Sequence, residues 1–311
     1  VNLAPYPDLA RVVGEQLRAF PEHAGYLEKR FRDETPDALD FANTLAVMIE
    51  RVCHGDLATV CSDYRWFSGI LLEEEMFFRR NGRYRLSTFA EAVAEVYDNH
   101  EHMTRGMNGL LVSQLWWRNH TEVMRYFRDT FLDKAPDGFT HLEVGPGHGL
   151  LLALAASSGR CARAEGWDVS ASSLTSTREA LDGMGVPADK VTLKAVNIFD
   201  ASDATAQDLP EASFQSITFS EVLEHLEDPA QALRALARLL APGGRIFVNA
   251  PVNSPAPEHI YLFRTPEEVE ELVRAAGLEI EDSLFAPCTG ATLDRARRLN
   301  LTISTAVIAR K

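Results

Sequence analysis

Glu221, Glu224 and His225 stand at i, i+3 and i+4 in the run Ser220-Glu221-Val222-Leu223-Glu224-His225-Leu226-Glu227-Asp228-Pro229. If this stretch is helical, all three side chains share one face. Two carboxylates and an imidazole on one face suit a hard divalent cation such as Mg2+ or Mn2+. The chemistry without a cation is different. An imidazole titrates near neutrality and can serve as a general base, and His225 and His259 are then the candidates. His259 lies in Pro257-Glu258-His259-Ile260-Tyr261-Leu262-Phe263-Arg264-Thr265-Pro266. The end of that segment reads as a helix start, with Thr265 at the N-cap and Pro266 in the first turn.

A second constellation sits upstream, in Leu142-Glu143-Val144-Gly145-Pro146-Gly147-His148-Gly149. It reads as the end of a buried strand, a glycine-punctuated turn and then an apolar helix. Gly145, Gly147 and Gly149 let the backbone turn tightly and approach a ligand closely. The following helix directs free N–H groups toward the turn. Together they describe a nucleotide-like site at the carboxyl end of the first strand of an α/β sheet. The glycine order is G-x-G-x-G, not the G-x-G-x-x-G of a dinucleotide fingerprint.

The elements needed to hold these residues follow in order. A second strand, Ala162 to Trp167, ends in Asp168, an acid placed to accept from ribose hydroxyls. A third, Val191 to Val196, runs into Asn197-Ile198-Phe199-Asp200. A fourth, Phe214 to Phe219, leads into Ser220 and the Glu/His run. Leu239-Leu240-Ala241-Pro242-Gly243-Gly244 then turns into a fifth strand, Arg245-Ile246-Phe247-Val248.

Glu143-x-Gly145-x-Gly147-x-Gly149, Asp168 and these successive landmarks resemble the class I S-adenosylmethionine (SAM) dependent methyltransferases. The resemblance covers Gly138 to Lys311. It implies a doubly wound, Rossmann-like α/β fold with a seven-stranded sheet. It implies that SAM binds over Gly145, Gly147 and Gly149, with Asp168 at the ribose and Asn197 and Ile198 at the adenine. Glu143 would orient the glycine loop or the methionine amino group, and Ser220 would border the site. Because the fourth and fifth strands are neighbours in this fold, His259 could reach the Glu/His run. The pattern E-x-x-E-H with a later His is similar to the metal site of small-RNA 3′-terminal 2′-O-methyltransferases. Its first half resembles ubiquinone-pathway O-methyltransferases. By that resemblance the ligands would be Glu221, Glu224, His225 and His259. The same stretch occurs in members without a metal, so His225, Glu221 and His259 stay open as catalytic groups of a metal-free enzyme.

Bulk properties narrow the partners. The chain has 311 residues, 31 basic and 45 acidic, for a net charge of −14. A nucleic-acid partner is not expected, because that normally needs a clustered basic surface. No apolar run is long enough for a membrane span. Cys53, Cys61, Cys161 and Cys288 are far apart and lack metal or disulfide spacing, which fits reduced thiols of a cytoplasmic protein. The expected acceptor is a small molecule, with O-methylation first. N- or C-methylation, an RNA 2′-hydroxyl and a non-catalytic SAM-binding subunit are the alternatives.

Residues 1–136 read as a separate, mainly helical region, with 137–311 as the SAM-binding domain. Ala38 to Arg51 and Phe67 to Phe78 have helical apolar spacing. Asn81-Gly82 is a hairpin-like turn signal, and Ser87-Thr88-Phe89-Ala90-Glu91 a capped helix start. Long helices are expected over Ala94–Arg118 and Thr121–Phe131. A winged-helix module, which would imply a homodimer, and a plain helical cap both fit. Tyr97, His100, His102, Met107, Trp116, Trp117, His120 and Tyr126 crowd this region. Either some of them line a substrate pocket or they are core residues.

Overall fold

A computed structural model describes residues 2–199 and 212–311; Asp200 lies outside the described residues. The C-terminal half is a seven-stranded sheet, β1 (Phe139–Val144), β2 (Cys161–Asp168), β3 (Val191–Ala195), β4 (Phe214–Ser220), β5 (Leu240–Val252), β6 (Glu279–Pro287) and β7 (Ile303–Arg310). The strand order is β3-β2-β1-β4-β5-β7-β6. β1 pairs in parallel with both β2 and β4, so the order reverses there. β7 is antiparallel to β5 and β6. In such a sheet the ligand crevice lies outside the carboxyl ends of the strands at the reversal. The doubly wound fold expected from the sequence is the fold observed.

β1, β4, β5 and β7 are buried almost throughout, because helices cover both faces of the sheet. α8 (Leu150–Ala156), α9 (Ala171–Gly183), α10 (Pro229–Leu239), α11 (Pro266–Ala275) and α12 (Leu293–Leu299) follow the strands. Asp228 caps α10 by accepting from the Gln231 N–H, with Pro229 in its first turn.

Among the described residues no strand precedes β1, so the N-terminal region is helical and carries no wing. Its helices are α1 (Pro7–Ala19), α2 (Ala24–Phe31), α3 (Pro36–Val52), α4 (Leu57–Asn81), α5 (Phe89–Ala92), α6 (His100–Trp116) and α7 (Arg118–Tyr126). The hairpin expected at Asn81-Gly82 is instead the end of a 25-residue helix. Gly82 takes φ 66° and donates its N–H to the Phe78 carbonyl. This is a left-handed helix stop, and the same dipeptide signals either ending. The expected capped start at Thr88 is present as a full capping box with Glu91. The helix expected over Ala94–Arg118 is broken, with a π-helical turn over Val93–Tyr97 and Asn99 capping α6.

The two regions share one apolar core. Phe247 of β5 packs against Phe127, Phe131 and Tyr126, with ring centroids 5.1, 5.6 and 6.1 Å away. Trp116 is fully buried, and its indole N–H donates to Gln16. Trp116 and Tyr126 are therefore packing residues. Phe247→Ala is expected to lower unfolding stability by about 3–5 kcal/mol, as for other large-to-small aromatic truncations. Chemical denaturation of the two proteins reads the difference directly.

Candidate active site

The glycine turn is built where the sequence places it. Gly145, Gly147 and Gly149 all have positive φ, at 71°, 49° and 72°. Gly145 is constrained twice, because a Cβ there would lie 2.7 Å from Val222 Cγ2. The turn therefore brings β1 against the start of the Glu/His run. Thr177 of α9 donates to the Gly147 carbonyl at 2.8 Å and holds the turn from outside.

Glu143 is buried, and its Oε2 has no partner. Burial pushes its carboxyl well above the usual range. Asp168 ends β2, and its oxygens accept from the Ser170 N–H and the Ser173 hydroxyl, both at 2.8 Å. These bonds fix the carboxylate at the sheet edge and leave lone pairs for further donors. Asn197 and the buried Ile198 follow β3, and Ser220 ends β4. All the residues expected at the cofactor thus come to the carboxyl edge of the sheet.

The Glu/His run differs from the expected helix. Only Leu223–His225 form a single 3-10 turn. Glu221 precedes it at φ 55°, a left-handed conformation that a branched or bulky residue rarely takes. Its N–H donates to the Asn249 carbonyl, and its Oε1 accepts from Asn249 Nδ2 at 2.7 Å. Glu221 therefore does not share a helical face with Glu224 and His225, contrary to the i, i+3, i+4 expectation. Asn249 also donates to Ser220 Oγ at 3.0 Å. Asn249 lies within β5 in register with Ser220, and its only signal in the sequence is that it is a polar residue directly after the apolar run Ile246-Phe247-Val248.

Three of the four expected ligands do converge. Ligand atoms of Glu224, His225 and His259 all lie within 4.8 Å of one another. The backbone brings them together, because the Glu224 carbonyl accepts from both the Ile260 and Tyr261 N–H groups at 2.9 Å. This stitches the segment after β5 onto the turn after β4. His259 Nδ1 lies 2.7 Å from the Ser254 carbonyl, and His225 Nδ1 lies 3.3 Å from the Glu258 carbonyl. A carbonyl can only accept, so both contacts favour the proton on Nδ1 and the lone pair on Nε2. Both Nε2 atoms face Glu224 Oε1, at 3.8 and 4.0 Å. The two rings stand perpendicular, 4.9 Å apart.

Glu224 is fully buried, and neither carboxylate oxygen has a hydrogen-bond partner. Burial, and then the charge of Glu221, push its carboxyl well above the usual range. Glu221 is pushed up to about 7 by burial, opposed by the Asn249 hydrogen bond. Burial pulls His225 and His259 down to about 4.

The N-terminal region reaches the same place. Tyr97 Oη is 3.0 Å from His225 Nδ1. The Tyr84 ring packs edge-on to His259, and its hydroxyl accepts from the Ser254 N–H. Met107 Cε lies 3.6 Å from where a Cβ on Gly147 would stand. Trp117 instead donates to Tyr64, and His120 is buried beside Gln114 and Ser113. Of the aromatic and histidine cluster, Tyr97 meets His225 and Met107 meets the glycine turn. Tyr84 carried no sequence signal, being far upstream of the motif.

Residues 116–283 match the methyltransferase domain family. This chain belongs to that family. It is a SAM-dependent methyltransferase. It is 28% identical over 193 residues to a ubiquinone biosynthesis O-methyltransferase of Pseudomonas paraeruginosa, covering 54% of this chain and 79% of that protein. A Neisseria meningitidis protein of the same description is 26% identical over 201 residues, covering 55% and 80%. A solved SAM-dependent methyltransferase from Mesorhizobium loti superposes with a TM-score of 0.45 at 16% identity, covering 62% of this chain and 97% of that one. Among the described residues no helix is long and apolar enough to cross a membrane.

Two outcomes follow from this geometry. Gly145→Ala meets both a strained φ and the Val222 side chain, and should weaken S-adenosylhomocysteine binding at least about tenfold (~1.4 kcal/mol) in a calorimetric titration. Adding Val222→Ala should restore only part of the loss, since the φ strain remains. His225 and His259, held near 4, should keep neutral-imidazole NMR shifts as pH falls from 7 to 5. Protonation near pH 6.5 would contradict the described burial.

Proposed function

We propose that this methyltransferase O-methylates a hydroxyl of a small molecule, and that a divalent cation held by Glu224, His225 and His259 assists it. One observation carries the reading. A fully buried carboxylate with no hydrogen-bond donor is faced by the Nε2 atoms of two imidazoles whose protons are held on the far nitrogen. An unpaired buried carboxylate is costly, and proteins normally pair it or place a metal against it. Neutral imidazoles with an oriented second nitrogen are the usual partners of a carboxylate in such a site.

The donor set, one carboxylate oxygen and two nitrogens, fits Mn2+ and, less closely, Mg2+. A cation there would lower the pKa of an acceptor hydroxyl. The chain's own residues do the rest. The glycine turn and Asp168 locate the cofactor at the sheet edge. Tyr97 and Met107, from the helical region, close the side facing it. Alignment for in-line attack and exclusion of water then supply most of the rate.

The resemblance of the curated relatives supports oxygen as the acceptor atom, since both are described as O-methyltransferases. The low histidine pKa values weigh against a metal-free general base. A group near 4 is neutral at pH 7 but a poor proton acceptor. The net charge of −14 favours a small molecule over RNA.

The test is a calorimetric titration of Mn2+ and Mg2+ into protein saturated with S-adenosylhomocysteine. Saturable binding that Glu224→Ala abolishes is expected, together with metal-stimulated methyl transfer to members of a hydroxyl-bearing panel. Transfer that proceeds equally well in a chelator, or to amines alone, would overturn the cation-assisted O-methylation.

A further inference from the structure

We infer that Tyr97 is a positioning residue for this site, its hydroxyl orienting the His225 imidazole so that Nε2 faces Glu224. The inference rests on the reading of Glu224, His225 and His259 as cation ligands and assigns a task to the N-terminal region. His225 Nδ1 has two oxygen neighbours, Tyr97 Oη at 3.0 Å and the Glu258 carbonyl at 3.3 Å. With the proton on Nδ1 both oxygens are accommodated as acceptors. With the proton on Nε2, the Nδ1 lone pair would face the carbonyl oxygen. The Glu258 carbonyl therefore selects the Nδ1–H tautomer, and the Tyr97 hydroxyl, the nearer of the two oxygens, fixes the plane of the ring.

Local structure shows why Tyr97 can hold this position. Val93–Tyr97 is a π-helical turn, which adds a residue per turn and re-aims the side chain at its end. The same short segment is pinned at its other end, where the Phe89 N–H donates to Glu227 Oε1 at 2.8 Å. Both anchors, His225 and Glu227, belong to the loop that follows β4. The Tyr97 ring also packs on Phe89, at 6.0 Å between centroids. A segment from the helical region is thus tied at two points to the loop carrying two of the three ligands. Seating that segment and orienting His225 are one event.

His259 gives the contrast. Its Nδ1 lies 2.7 Å from the Ser254 carbonyl, a closer backbone acceptor than the one His225 has. Its tyrosine neighbour, Tyr84, touches it only through the ring and bonds the Ser254 N–H instead. His259 is therefore oriented by the domain that carries it, whereas His225 depends on the helical region.

Tyr97→Phe keeps the ring and its contact with Phe89 and removes only the hydroxyl. Two readouts decide the inference, each on protein whose thermal unfolding matches the parent. In calorimetry on the protein saturated with S-adenosylhomocysteine, Tyr97→Phe is expected to weaken Mn2+ binding about tenfold or more, the usual cost of losing an outer-shell partner. In long-range 1H–15N NMR without metal, the parent should show His225 protonated on Nδ1, and Tyr97→Phe should show a mixed or exchanging pattern. Mn2+ binding that is equal in parent and variant would overturn the inference while leaving the cation reading intact. If the parent binds no Mn2+, the cation reading fails and the NMR decides. A changed His225 pattern in the variant then upholds the positioning role, and an unchanged one overturns it.

Discussion

A carboxyl with no exposed surface and no hydrogen-bond donor is costly to bury, and the chain around Glu224 is arranged about one. Glu224 sits on a single 3-10 turn, and its own carbonyl accepts two N–H groups from the segment after β5. Those two bonds are backbone to backbone, so they do not depend on which side chains flank them. They hold His259 opposite Glu224 as firmly as a sheet ladder would. The left-handed Glu221 and its clasp on Asn249 steer the chain from β4 into that turn. Strain at one residue and an unpartnered buried carboxyl at another are stored side by side, which is where functional sites keep such costs.

Much of this was legible in the sequence. Buried parallel strands leave near-continuous apolar runs, and the turns at their carboxyl ends need glycines and acids that stand out against them. Gly145, Gly147, Gly149 and Asp168 fall where that reading puts them. The resemblance also implies Glu221, Glu224, His225 and His259, of which the last three converge. What spacing could not give was the local conformation. An i, i+3, i+4 pattern implies a common face only if the backbone is helical, and Ser220–Val222 is not. Here the register of β4 with β5 sets the backbone at Glu221, and that register is a long-range property.

The N-terminal region was read less well, for a different reason. Asn-Gly can end a helix or turn a hairpin, and the choice depends on what the flanking residues pack against. In this protein the flanks form one long helix, with Phe78 and Tyr84 buried around its end. The crowded aromatic and histidine residues likewise could not be sorted by type. Trp116 and Tyr126 serve the core, whereas Tyr97, of similar character, meets His225. Only the π-helical turn before Tyr97 separates it from its neighbours, and no residue pattern announces that turn.

The shared aromatic joint between Phe247 and the rings of Tyr126, Phe127 and Phe131 bears on how such enzymes diversify. The helical segment that brings Tyr97 to His225 lies far from the loop after β4 in sequence but belongs to the same folded body. Yet the segment is no detachable accessory. Removing the helical region through Phe131 would strip Tyr126, Phe127 and Phe131 from Phe247 and leave that face of β5 uncovered, and exposed apolar surface of that kind invites aggregation. Recombination here should succeed only when this joint travels with the helical region. The helices beside the crevice and the folding core are inherited as a single unit.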